Sequence, residues 1–244
     1  MPMVDIHTHI LSGIDDGAAD VEEALELLRQ EIENGVDKVV LTPHFDCNHT
    51  TLNEFLERRN EAYSRLVEAA NGIVIPQLKL GAEVRYSPEL LELDLTKLTL
   101  GDSDYLLLEL PFDHYPAFIE QVIDNMMSRG INVILAHVER YLYFRQYPNL
   151  LSDLLKKGVL AQVTAAKLIK KSKKSFTLKC INKGLAQIIA SDTHSVSKRP
   201  PCQAQLGLSL TKKQIEESDY YSYAVWNNDR VPTVTPKKTG WFFK

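Results

Sequence analysis

The chain has 244 residues, with 28 Lys plus Arg against 32 Asp plus Glu, a net charge of −4, 44% hydrophobic residues and 25% charged ones. That balance excludes collagen-like, coiled-coil and wholly disordered chains, and a mildly acidic surface makes a poor generic nucleic-acid binder. No apolar stretch could span a bilayer, the first ten residues lack the pattern of a secretion signal, and three widely spaced cysteines (Cys47, Cys180, Cys202) suggest no disulfide framework. The expectation is one cytoplasmic domain over residues 1–244, without nucleic acid or stable membrane insertion.

Met3–Ile6 reads as the first strand, followed by Val21, Ala24, Leu25, Leu28 and Ile32 on one helical face, with Asp20 and Glu23 as the start signal and Gly35 as the stop. Lys38–Thr42 is the second strand. Thr51 and Glu54 form a capping-box pattern ahead of Phe55, Leu56, Tyr63, Leu66 and Val67. Gln77–Val84 and Asp104–Leu110 are the third and fourth strands. Pro116 is placed to open a helix bearing Ile119, Val122, Ile123 and Met126, which Gly130 ends. After the fifth strand, Asn132–Ala136, Pro148 and Gly158 bracket a helix carrying Leu150, Leu151, Leu154 and Leu155, and Leu160–Val163 and Ala186–Ala190 complete the set. Strands alternating with helices predict a parallel α/β sheet, either open and doubly wound or a closed barrel. Seven strands, where the common barrel has eight, would make a closed barrel irregular.

The strand ends carry the chemistry. The first runs into Asp5-Ile6-His7-Thr8-His9, where positions i and i+2 share a face, so His7 and His9 project together while Ile6 and Thr8 face away. The second ends in His44, the third in Glu83, the fourth in Glu109, the fifth in His137 and the seventh in Asp192 and His194. That is the end at which barrel and open α/β enzymes place their chemistry. Carboxylates and imidazoles at the ends of apolar strands are costly to bury alone, and a shared cation offsets that cost. Nitrogen and oxygen donors without thiolate suit Mn, Zn, Fe or Mg and argue against Ca. His7, His9, Asp16, His44, Glu83, Glu109, His137, Asp192 and His194 are too many for one ion. They would serve two or three, with a carboxylate such as Glu83 bridging, an arrangement suited to displacement at phosphorus.

Together, Asp5-Ile-His7-Thr-His9, Asp15-Asp16-Gly17, Thr42-Pro-His44, Gly81-Ala-Glu83, His137-Val-Glu-Arg140 and Ser191-Asp192-Thr-His194 resemble the polymerase-and-histidinol-phosphatase superfamily. Within it, the chain is similar to the bacterial manganese-dependent tyrosine-protein phosphatases encoded beside capsule and exopolysaccharide genes. The resemblance runs in order from residue 3 to about residue 210. It implies a distorted seven-stranded (β/α) barrel with a trinuclear, usually manganese, centre, acting on the phosphotyrosine-rich tail of a bacterial tyrosine kinase. It also implies one ion on His7, His9, Glu83 and Asp192, a second on Glu83, Glu109 and His137, and a third on Asp16, His44 and His194. Arg140 and Arg199 correspond to the phosphate-holding arginines, and a guanidinium fork matches phosphoryl oxygens. His194 or a metal-bound water is the candidate for any general acid, although a phenol leaving group hardly needs one. Phe45 stands where family members often carry a second histidine, so that contact is absent here.

A cysteine-based tyrosine phosphatase needs an Arg six positions after its nucleophile, where this chain has Asn53, Ala186 and Leu208. That mechanism is excluded. Asp5 and Asp15 flank ligands and are expected to orient them, while His49 and His114 are expected on the surface. Nine lysines and no acidic residue lie between Leu154 and Ser191, with Lys170, Lys171, Lys173 and Lys174 densest. They form either a solvated helix face or a basic surface that attracts a multiply phosphorylated tail or an anionic membrane. Trp241-Phe242-Phe243 near the end is expected to pack on the barrel or on another subunit, so an oligomer is possible. The alternatives are a small-molecule phosphomonoesterase such as histidinol-phosphate phosphatase, and a non-catalytic metal-binding module.

Overall fold

All seven predicted strands form and run parallel in the computed structural model, which describes residues 1–169 and 175–237. Seven become nine because the second resumes after a break beyond its expected end and the third breaks in the middle: β1 (Met3–Thr8), β2 (Val36–Leu41), β3 (His44–Phe45), β4 (Gln77–Leu80), β5 (Glu83–Arg85), β6 (Tyr105–Glu109), β7 (Asn132–Leu135), β8 (Leu160–Thr164) and β9 (Ile188–Ala190). Pairing is β1-β2-β4 in one group and β3-β5-β6-β7-β8-β9 in the other. The first break falls at Thr42-Pro43, where proline has no N–H for the ladder, and the second at Gly81-Ala82. The backbone bridges both: Gly81 N–H donates to Leu41 O at 2.9 Å and Glu83 N–H to Pro43 O at 3.1 Å. Gly81 is closely packed there, since a Cβ would lie 2.9 Å from Leu100 Cδ2, 3.2 Å from Val40 Cγ1 and 3.3 Å from Leu100 Cα.

The sheet curls until its first and last strands meet. They join only at the C-terminal end, where Asp192 N–H donates to His7 O at 3.0 Å and His9 N–H to Thr193 O at 2.8 Å. The result is the irregular, seven-position barrel expected.

Helices α1 (Val21–Glu33), α2 (Leu52–Ala69), α3 (Ile119–Ser128), α4 (Leu142–Gln146), α5 (Pro148–Lys156), α6 (Ala165–Ile169) and α7 (Phe176–Lys183) follow the strands in order. Asp20 caps α1 by accepting Glu23 N–H at 2.8 Å, and Thr51 and Glu54 form the capping box of α2. Pro116 stands one turn earlier than expected. α3 begins at Ile119, whose N–H reaches Pro116 O in a single turn before the helix proper. An eighth helix, α8 (Lys212–Asn227), had no counterpart among the predicted elements, although Thr211 and Gln214 form a capping box. The lysines at 170, 171, 173 and 174 and the Trp241-Phe242-Phe243 segment lie outside the described residues.

Side-chain alternation divides the apolar residues in two. Val4, Ile6, Val40, Tyr105, Leu107, Ile134, Leu160, Ile188 and Ala190 make one buried cluster inside the barrel, closed at the N-terminal end by Val225 and Trp226 of α8. Leu106, Leu108, Val133, Leu135, Ala161, Val163 and Ile189 face the covering helices. Among the described residues no helix is long and apolar enough to cross a membrane.

Candidate metal centre

At the C-terminal end of the barrel the apolar interior gives way to ionisable groups lining a cleft of about 420 Å³. Glu109 continues the inward face of Tyr105 and Leu107, which makes it a donor at the cleft floor. His137 arrives differently. Ile134 and Ala136 face inward, so strict alternation would send His137 outward; its φ of 28° turns it in. Asp192 has φ 55°. Such conformations cost a non-glycine residue about 1–3 kcal/mol and persist where the surroundings impose them. A register shift between Asp5 and Thr8 does similar work in β1, so Ile6, expected to face away, packs inside the barrel while His7 also turns to the cleft. Gly17 lets the Asp15-Asp16 loop close on β1, because a Cβ there would collide with the His9 backbone.

All nine expected donors converge. His7 Nε2 and His9 Nε2 are 3.1 Å apart, each 3.2 Å from Glu83 Oε2, and 3.6 and 3.7 Å from Asp192 Oδ1. His7, His9 and Glu83 form a set whose donor atoms all lie within 4.8 Å of one another, and Asp192 approaches its two imidazoles from outside that set. The other oxygen, Glu83 Oε1, is 2.8 Å from His137 Nε2, which is 3.5 Å from Glu109 Oε1. Asp16 Oδ1 is 3.4 Å from both His44 Nε2 and His194 Nε2. The geometry also draws His9 toward Asp16, His44 and His194, and His44 toward Glu83 and Glu109, each set having one donor atom per residue within 4.8 Å of the others. His44 Nδ1 is 3.1 Å from Glu83 Oε2. The groups therefore overlap more than the ligand sets implied by resemblance. Asp16, with 67% of its side chain exposed, is the one donor well open to solvent.

The orientation of each imidazole is set from behind. Asp15 Oδ2 accepts from His9 Nδ1 at 2.9 Å and from the His44 backbone N–H at 3.0 Å, as expected of a positioning carboxylate. Asp5 accepts the His7 and Ser191 backbone N–H groups at 3.2 Å, tying β1 to the segment that carries Asp192. His194 Nδ1 donates to Asp192 O at 3.0 Å. Gln162 was missed in the sequence. Its Oε1 lies 3.3 Å from His7 Nδ1 and accepts His137 N–H at 2.6 Å. A fully buried glutamine in an otherwise apolar strand was the available signal. With the Nδ1 positions so occupied, the Nε2 lone pairs of His7, His9 and His194 point at carboxylate oxygens. Glu83 Oε2, buried, has no satisfactory hydrogen bond. Converging acceptors of this kind need a cation, and the donor set fits a divalent one.

Without a cation, protons fill part of the role. Burial disfavours the charged form of His9, but Asp15 and Glu83 outweigh it and raise its pKa to about 9. Burial would raise Glu83, yet His7 and His137 hold it well below the usual carboxylate range. Burial, aided by His9 and Arg199, pushes His194 down, so its ring stays neutral and is poorly placed to act as an acid.

Arg140 and Arg199 stand above this floor, both on Asp192 Oδ2, the second at 2.6 Å. The cleft also exposes side chains with no expected role: Arg85, Asp46 and Phe112. His49 is highly exposed, as expected, but lines the rim and pairs with Asp46 at 2.9 Å. His114 is exposed and pairs with Asp113. Phe45, in place of a second histidine, is buried against Phe55 with ring centroids 5.0 Å apart. No cysteine lines the cleft, and burial pushes the Cys202 thiol up to about 12.

Comparison with known proteins agrees with this geometry. Residues 3–231 match the family model described as "Capsular polysaccharide synthesis, CpsB/CapC". The chain is 35% identical to the tyrosine-protein phosphatase YwqE of Bacillus subtilis, over 81% of this chain and 79% of YwqE. It is 34% identical to the putative tyrosine-protein phosphatase CapC of Staphylococcus aureus, over 98% and 99%, and 30% identical to the tyrosine-protein phosphatase CpsB of Streptococcus pneumoniae, over 86% and 90%. A crystal structure from a study of YwqE and S. pneumoniae CpsB, described there as "unique metal-dependent tyrosine phosphatases", superimposes with a TM-score of 0.84 at 29% identity, covering 98% of this chain and 100% of the other. A TatD-family hydrolase from Entamoeba histolytica shares the fold alone, with a TM-score of 0.55 at 11% identity. This chain belongs to the CpsB/CapC family of capsular polysaccharide synthesis proteins.

Proposed function

We propose that the chain is a metal-dependent phosphatase hydrolysing phosphotyrosine in protein, in the service of capsular or exopolysaccharide synthesis. One observation carries it: His7, His9 and Glu83 bring three acceptor atoms to one point, and Asp192, which both arginines engage, flanks the two imidazoles. The relatives named above support the substrate class.

His7, His9 and Glu83 would hold one ion with Asp192 beside the imidazoles, Glu83, Glu109 and His44 a second with His137 beside the carboxylates, and Asp16, His44 and His194 a third with His9 within reach. We take the ions to be manganese, with Fe, Zn or Mg compatible with the same donors. Bound divalent ions supply an activated water at neutral pH and offset charge on phosphoryl oxygens. Arg140 and Arg199 bind those oxygens from above, exchanging Asp192 Oδ2 for the phosphoryl group and stabilising the charge that spreads over it in the transition state. Gln162 and Asp15 keep His7 and His9 aimed at the floor throughout. His194 serves as a ligand. The phenolate, with a pKa near 10, departs without needing a strong acid.

The partner we propose is the tyrosine-rich tail of a bacterial kinase. We place the protein in the cytoplasm, a reducing compartment that suits three unpaired cysteines. The complete donor set disfavours a non-catalytic module. The test is to strip the protein with chelator and compare a phosphotyrosine peptide, p-nitrophenyl phosphate and histidinol phosphate before and after adding Mn, Zn or Mg. Turnover of the peptide that vanishes with the metal and returns with manganese is expected. Activity unaffected by stripping, or a preference for histidinol phosphate, overturns the reading.

A further inference from the structure

A phosphotyrosine ester presents two unlike parts, a dianionic phosphoryl group and an aromatic ring one ester oxygen away. The cleft floor answers the first part with histidines, carboxylates and two arginines. Its walls are otherwise charged or polar: Asp16 and Asp46 offer nothing to a benzene ring, and Arg85 and His49 are both engaged by Asp46. Among the described residues, Phe112 is the only exposed large apolar side chain lining this cleft; Phe45 also reaches it but is fully buried.

Phe112 is 41% exposed at the mouth of a charged cleft. It is nonetheless held in place. Its ring stacks on His137 at 5.7 Å with a 24° interplanar angle and on Tyr141 at 5.6 Å with 29°. The two residues before it are tied down by hydroxyls, since Leu110 N–H donates to Tyr141 Oη at 2.9 Å and Tyr143 Oη donates to Pro111 O at 2.9 Å. A side chain that served only to exclude water would be buried, and one without a role would not sit at the end of two tyrosine clamps.

We infer that Phe112 is the specificity-determining platform for the substrate's aromatic ring, stacking on it while the phosphoryl group engages the floor. This rests on the phosphatase reading above and deepens it. Tyr141 and Tyr143 are positioning residues that act through Phe112. Offset aromatic pairs favour binding beyond the area they bury, so the platform selects phosphotyrosine over phosphoserine, phosphothreonine and alkyl phosphates at one metal site. Because the contact is made in the bound ester as well as at the transition state, it acts mainly through KM.

The test compares manganese-loaded wild type with Phe112→Leu, Phe112→Ala and Phe112→Trp on a phosphotyrosine peptide and a phosphoserine peptide of otherwise identical sequence. Binding of the non-hydrolysable phosphonomethyl-phenylalanine peptide is measured by calorimetry. Phe112→Leu and Phe112→Ala should raise KM for the phosphotyrosine peptide about three- to tenfold, lower the phosphotyrosine-to-phosphoserine ratio of kcat/KM by a similar factor and weaken the phosphonate peptide in parallel. Phe112→Trp should restore all three. An unchanged ratio, or losses equal for both peptides in the leucine and alanine variants, overturns the platform and leaves the phosphatase reading standing. A wild type that turns over neither peptide with any metal overturns both.

Discussion

The two ends of the barrel are made from the same strands and obey opposite rules. At the N-terminal end polar groups are matched to partners. Lys79 Nζ donates to Trp226 O at 2.9 Å and lies 4.7 Å from the Trp226 ring, as does Lys38. Tyr105 Oη donates to Asp229 O at 2.8 Å. At the C-terminal end acceptor faces acceptor. His7 and His9 crowd Glu83 Oε2, Glu83 and Asp192 are buried, and two non-glycine residues there adopt left-handed backbone. The first end is arranged for stability; the second tolerates electrostatic and backbone strain that a bound cation would relieve.

The strongest way to break this contrast is to remove donors at the strained end. His7→Ala combined with His9→Ala should abolish phosphatase turnover and leave substoichiometric metal by elemental analysis, while circular dichroism stays native. Next, Arg199→Ala should lower kcat/KM on a phosphotyrosine peptide by about a hundredfold with metal content unchanged, because the guanidinium binds substrate rather than ions. At the other end, Trp226→Ala should cost about 3 kcal/mol in urea unfolding by opening a cavity, with kcat within twofold of wild type. If turnover collapsed with it, the two ends would not be separable.

Gln162→Leu sharpens the comparison from inside the barrel. It should weaken metal binding about tenfold in a competition titration, since His7 and His137 lose the oxygen that orients them. A pH titration probes the same floor. In the metal-free protein His9 has its pKa raised to about 9. Its protonation therefore contributes stability that is fully present below the unfolded value near 6.5 and is lost as pH rises through about 9. Metal competes for that nitrogen, so apparent metal affinity should climb across the same window, by about tenfold per unit for one displaced proton. Affinity flat between pH 7 and 9 would remove His9 from the ligand set.

Much of this was legible because the relevant signals are local. The caps of α1 and α2 are spacing rules over three residues, and a donor just after an apolar strand lies at the strand's end in any parallel barrel. Gln162 and Phe112 were not legible, for opposite reasons. A glutamine within Leu-Ala-Gln-Val-Thr announces burial but not which imidazole it meets, 155 residues away for His7. Phe112 looks like any loop aromatic until the tyrosine clamps are seen. Helix α8 carried a capping box, but nothing local said that its Trp226 would close the barrel.

By itself the sequence determined the alternation of strands and helices, the placing of eight of the nine donors at strand ends and the absence of a usable cysteine, because each follows from residue type and short-range periodicity. Only the tertiary structure decided that His137 and Asp192 turn inward through left-handed backbone, that His7 and Ile6 both face the interior, and that His9 and His44 stand between neighbouring donor sets. Those outcomes depend on strand register and on closure between β1 and the segment after β9, where contacts separated by more than 180 residues choose among directions that local rules leave equal.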